Sequence, residues 1–205
     1  RDALRANTTA SNNVAVGMDA LTANTTGEYN TSLGFESMLT NTTGDRNVAV
    51  GFKALQIMNV TDGSHTFNTA VGFGAGQLTT TGTNNTLIGA NAGNANTTGA
   101  SNTAVGYAAL DANTTGNYND AFGESALSGN TTGTNNSAIG RYSLNTNTTG
   151  DNNTAVGSLA LRYATTADNN TAVGRQALTA NTTGIKNTAL GGGALVANTT
   201  GGDNV

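Results

Sequence analysis

A glycine returns every 17 residues along this chain, at Gly17, Gly34, Gly51, Gly72, Gly89, Gly106, Gly123, Gly140, Gly157, Gly174 and Gly191. Nine of the ten spacings are 17, and the tenth, Gly51 to Gly72, is 21, one repeat plus an insertion of four. A period this strict restricts the chain to architectures in which each unit stacks on the last. It also restricts the kind of unit, because a helical-pair repeat needs about 30 residues or more, and a hexapeptide β-helix would need a multiple of six.

The segment Ala100 to Gly116 serves to number the repeat from one to seventeen. The third position is asparagine in every copy: Asn13, Asn30, Asn47, Asn68, Asn85, Asn102, Asn119, Asn136, Asn153, Asn170, Asn187 and Asn204. The fourth is mostly threonine or valine, and the fifth is small, with alanine in nine of eleven copies. The sixth is always large and apolar, from Val16 and Leu33 through Val105 and Phe122 to Leu190, and the seventh is the recurring glycine. β-branched residues suit a pleated strand, and alternate side chains of a strand point to opposite faces. Thr103 and Val105 therefore share one face, and Asn102 and Ala104 the other. Glycine then permits a sharp change of direction.

A second apolar pair fills positions ten and eleven, as in Ala20-Leu21, Ala109-Leu110 and Ala177-Leu178, and predicts a second short strand. Two adjacent copies carry Gly76 and Gly93 in place of the leucine, which predicts the weakest layers there. Asn-Thr-Thr-Gly closes the unit eight times between Asn24 and Gly201, and is turn chemistry. The unit so described is one coil of an all-β, parallel β-solenoid, with the sixth-position aliphatics and the eleventh-position leucines expected inside. A rise of about 4.8 Å per coil makes about twelve coils a rod of about 55–60 Å. Like residues then stack in columns, and the asparagine column is expected to be an amide ladder. Residues 1–205 read as one solenoid with its insertion within 52–71, and as a segment of a longer periodic chain.

A coil with one large aliphatic and one leucine buries little apolar area for the 17 residues it orders. The first strand is also apolar on both faces, whereas a narrow roll has a single interior. The second face, taken to be the alanine face, therefore calls for side-by-side association with further copies of the chain, as a homo-oligomer or filament.

Asn13-Val14-Ala15-Val16-Gly17, Asn136-Ser137-Ala138-Ile139-Gly140 and Asn153-Thr154-Ala155-Val156-Gly157 resemble the head repeat of trimeric autotransporter adhesins, and the pattern covers the whole chain. It is also similar to the repeat shafts of some bacteriophage tail fibres. The adhesin repeat is about 14 residues long, so the surplus here falls around Asn-Thr-Thr-Gly. The resemblance implies a left-handed β-roll, three rolls packed around one axis, and an extracellular, cell-surface or virion location.

Asn-Thr-Thr is also an N-glycosylation acceptor pattern. It occurs at Asn7, Asn24, Asn41, Asn96, Asn113, Asn130, Asn147, Asn181 and Asn198, with off-register acceptors at Asn30, Asn59, Asn84, Asn135, Asn152 and Asn169. The competing explanation is that this turn requires these residue types, and a sugar on each coil would be crowded. The insertion contains Asp62 and His65, the only histidine; one histidine does not make a zinc site, and scattered acids do not make a calcium site. No triad context, paired acids or phosphate-binding turn before a helix is present, so no enzyme and no cofactor is expected. Charged residues are only 10% of the chain, with a net charge of −4 and no basic run, which excludes a nucleic-acid surface. No apolar run is long enough to insert this segment in a membrane. Eighth-position aromatics Phe35, Phe52, Phe73 and Tyr107 are candidates for a stacked patch.

The sequence thus points to a structural fibrous protein, a shaft or adhesin-like stalk. Its rivals are a glycan- or receptor-binding tail-fibre module, which would contact surface glycans, and an ice-binding solenoid built on the threonine pairs.

Overall fold

A computed structural model describes all residues, 1–205. The chain is all-β and forms a β-solenoid: eleven strands of three residues lie in a single parallel sheet in strict chain order. They are β1 (Val14–Val16), β2 (Thr31–Leu33), β3 (Val48–Val50), β4 (Thr69–Val71), β5 (Thr86–Ile88), β6 (Thr103–Val105), β7 (Asp120–Phe122), β8 (Ser137–Ile139), β9 (Thr154–Val156), β10 (Thr171–Val173) and β11 (Thr188–Leu190). Register is the 17-residue period itself, with Thr103 opposite Asp120 and Val105 opposite Phe122. It survives the insertion, where Val48 pairs with Thr69 and Val50 with Val71. The four surplus residues, Thr61 to Ser64, leave the roll as an exposed loop, and His65 bridges to Asp45 where the next coil begins.

Only one strand forms per coil. Residues 107–112, where a second was expected, are turns. The cause is the backbone of positions nine and eleven, which is left-handed: φ is 51° at Ala108 and 54° at Leu110, and position two repeats this with 56° at Ser101. A left-handed residue with a side chain costs about 1–2 kcal/mol, while burying a leucine contributes about 1.5–3 kcal/mol. The buried leucine therefore offsets the strain of its own backbone, coil after coil.

The core sits between the strand and this turn. Ala104, Ala109 and Leu110 are fully buried, as are their counterparts in the inner coils, while Leu4, Ala15, Ala194 and Leu195 of the terminal coils are half-buried. The sixth-position aliphatics are not part of it. Val16 is 55% exposed, Leu33 45% and Ile139 46%. The expected assignment of the two faces is therefore reversed: alanine points inward, and the aliphatic before each glycine points outward. The reason is space. Leu110 enters from the opposite wall, and the interior is too narrow for a second large side chain.

The copy that breaks this rule confirms it. Leu87 stands where other copies have alanine, in the coil that carries Gly93 and next to the coil that carries Gly76. A Cβ built on Gly93 would lie 2.6 Å from Leu87 Cδ2, and one on Gly76 2.7 Å from Leu87 Cδ1. One leucine from the strand fills the place of two missing from the turn, so these layers are not left hollow. The other exception, Ser32, is satisfied locally by Ser37, with Oγ atoms 2.6 Å apart.

The recurring glycine is needed twice over. At Gly106 φ is +139°, and a Cβ would stand 2.6 Å from the carbonyl oxygen of Gly123 in the next coil.

Candidate association interface

Because the strand turns alanine inward, its fourth and sixth positions form the outer face of the sheet. The sixth column runs Val16, Leu33, Val50, Val71, Ile88, Val105, Phe122, Ile139, Val156, Val173 and Leu190 without a polar interruption. None of these residues is buried. The fourth column beside it is valine, threonine and serine, except for Asp120, its one charged residue. Eleven large apolar side chains in a continuous line form an apolar stripe of the kind that marks an association surface.

Two further columns flank this face. At the eighth position Phe35, Phe52 and Phe73 stack, with centroids 5.3 and 4.9 Å apart and planes within 9° and 7°. Tyr107 is separated from them by the coil carrying Ala90. At the second position the Arg46 guanidinium lies over the rings of Tyr29, at 5.3 Å, and Phe67, at 5.8 Å. His65, directly after the insertion, joins this group. Its Nδ1 is 3.0 Å from Asp45 Oδ2 and also meets Arg46, and its ring packs edge-on to Phe67. A histidine spent on a neighbouring carboxylate and guanidinium is a surface staple, and no third ligating side chain joins it.

The third-position asparagines from Asn30 to Asn187 are buried, with Asn13 and Asn204 half-buried at the ends, and their side chains bind coil to coil. Asn102 Oδ1 accepts the main-chain N–H of Asn119 at 3.0 Å, and Asn102 Nδ2 donates to the carbonyl of Gly116 at 2.9 Å. Direct amide-to-amide bonds occur in part of the column, as from Asn153 Nδ2 to Asn136 Oδ1 at 3.2 Å. At the insertion no seventeenth-position glycine is available to Asn47. Its Nδ2 donates instead to the Asp45 carbonyl, and its Oδ1 accepts from Thr66 Oγ1.

A second asparagine column lies at the fourteenth position, where the sequence suggested a turn and a candidate glycosylation acceptor. Asn24, Asn41, Asn96, Asn113, Asn130, Asn147 and Asn181 are fully buried. Asn130 Nδ2 donates to Asn113 Oδ1 at 2.9 Å and to the Gly133 carbonyl at 3.0 Å. Both amide hydrogens are thus engaged, and a glycan on any of these nitrogens would displace the ladder. Asn7 is exposed and Asn198 half-buried, each on a terminal coil. Among the off-register acceptors, Asn84, Asn135, Asn152 and Asn169 are exposed at the second position, Asn30 is buried in the first ladder, and Asn59 is half-buried. In-phase recurrence was the signal available for the second ladder, but turn propensity explains the same residues.

The threonine pairs divide their roles. The first hydroxyl donates to the next coil, as Thr114 Oγ1 does to the Thr131 carbonyl at 2.9 Å. The second, as at Thr98, Thr115 and Thr132, faces solvent.

The insertion borders a shallow hollow lined by Asn59, Val60, Thr61, Asp62, Ser64 and Thr81. The Ser64 hydroxyl and main-chain N–H hold the Asp62 carboxylate below the ordinary carboxylate range. No helix is long and apolar enough to cross a membrane. No protein-family model, curated protein or solved structure matches the chain.

Proposed function

We propose that the chain is a structural fibre element, whose copies pack side by side through the outward aliphatic column to build an extracellular shaft or adhesin-like stalk on a cell or virion. The observation that carries this reading is the uninterrupted line from Val16 to Leu190 on the open face of an eleven-stranded sheet. Each copy presents the same column at the same rise, so aliphatic rungs of neighbouring copies meet in register along the whole length. Threonine and serine in the adjacent column are short, which lets sheets approach closely. A trimer is the assembly the sequence resemblance implies, and three such stripes around one axis would leave none of them in water.

The test is sedimentation equilibrium over a range of concentrations, with Val105→Asp beside the wild type. The wild type is expected to sediment as a discrete oligomer. V105D should dissociate, and its monomer should melt as the wild-type monomer does, because Val105 lies outside the roll. A wild type that stays monomeric at every concentration ends the reading. A V105D chain that fails to fold would show that the sixth position belongs to the core.

A further inference from the structure

The eighth-position column contains a gap with the dimensions of one ring. Its occupants in successive coils are Phe35, Phe52, Phe73, Ala90, Tyr107 and Glu124. Phe73 rests one face on Phe52, but its other face looks toward the coil of Ala90, which offers only a methyl group. Phe73 is accordingly 57% exposed, and Tyr107, on the far side of the gap, 60%. Two coils separate these residues, or about 9.6 Å along the axis. Within the phenylalanine ladder one rung spans 4.9 to 5.3 Å between centroids. A single ring inserted above Ala90 would therefore be in contact distance of both neighbours.

The rim of the gap is polar and uncharged. Asn91 follows Ala90 with left-handed backbone, φ 57°, and its Oδ1 lies beside Gly74, in a polar cluster with Asn94 Nδ2 and Gln77 Oε1. Tyr107 contributes a phenol hydroxyl. The nearest cation, Lys53, lies over Phe52, and Glu124 belongs to the coil beyond Tyr107. An aromatic face carries partial negative charge and favours partly positive C–H groups. A ring that presents C–H groups on its faces and hydroxyls on its edge is a sugar pyranose.

We propose that the Ala90 gap is a binding notch for one neutral pyranose ring, stacked between Phe73 and Tyr107 with its hydroxyls toward Asn91. The site lies beside the association face and does not depend on the chain number of the assembly.

The test is an NMR titration of the intact chain with cellotriose and with triacetylchitotriose at millimolar concentration, following the ring resonances of Phe73 and Tyr107. Ala90→Phe supplies the missing ring from the chain itself and is the decisive variant. It should keep or raise the melting temperature while weakening saccharide binding about tenfold or more. Asn91→Ala should weaken binding several-fold without altering the melt. Absence of Phe73 and Tyr107 shifts with both sugars overturns the proposal, as does binding by A90F at wild-type strength. Shifts of Phe73 that follow protein concentration rather than sugar would also overturn it, by giving the notch to a side chain of another copy.

Discussion

At the scale of single residues, stability depends on whether each buried polar atom finds its partner in the next coil. Asn147 Oδ1 is buried without a hydrogen bond. The reason is Ala164, which stands where the next coil should supply an asparagine Nδ2. That coil also has Ala167 in place of glycine. At Gly150 a Cβ would meet both the Ala167 carbonyl oxygen of the next coil and, at 2.5 Å, its own coil's Asn147 Oδ1. The double substitution Ala164→Asn/Ala167→Gly should therefore close the ladder and stabilise the chain by about 1–3 kcal/mol in urea unfolding.

Asp111 is a second such residue, half-buried, with its carboxyl pushed above the ordinary range by desolvation. Equivalent side chains donate to the preceding coil, as Asn94 Nδ2 does to the Gly74 carbonyl and Asn145 Nδ2 to the Ser125 carbonyl. An ionised carboxylate has no proton to donate. A folded-state pKa above the unfolded value means that ionisation opposes folding. The penalty is full above the folded pKa and vanishes as pH falls below the unfolded one. Asp111→Asn should thus stabilise the chain at neutral pH, by about 1 kcal/mol, and the gain should shrink toward zero in acid. A gain independent of pH in parallel melts would point away from the charge.

At the scale of the element, each coil is one strand set against one left-handed turn, and its interior has a fixed volume. Leu87 opposite Gly76 and Gly93 shows that the volume can be supplied from either wall. Leu87→Ala should leave a cavity and cost about 2–5 kcal/mol. Gly93→Leu alone should overpack, at about 1–3 kcal/mol. Together they restore the ordinary alanine–leucine pairing, and the double variant should regain most of the loss. Additive losses in a double-mutant cycle by denaturant unfolding would contradict shared occupancy of one space.

At the scale of the whole molecule, one charge stands out on the outer face. Asp120 interrupts the fourth column between Thr103 and Ser137, with Phe122 beside it. In a side-by-side assembly, each copy would bring this carboxylate to the same level, where burial and like charge both oppose association. Asp120→Asn should tighten the oligomer about tenfold or more, as read by sedimentation equilibrium, and leave the monomer melt unchanged. Association unaffected by D120N would place the contact on another face.

The period, the strand, the parallel stack and the in-register columns were legible from the sequence, because each follows from a glycine and an asparagine repeated in phase. What remained closed was the direction in which the strand faces. Alternation assigns Ala104 and Val105 to opposite sides but is symmetric between them, and hydrophobicity alone placed the larger residue inside. The tertiary structure decided otherwise through volume: Leu110, brought in by a left-handed turn no pattern announced, leaves room only for alanine. The same folding placed the fourteenth-position asparagines in a second ladder, since a local turn motif does not specify whether its side chain points at water or at the coil above.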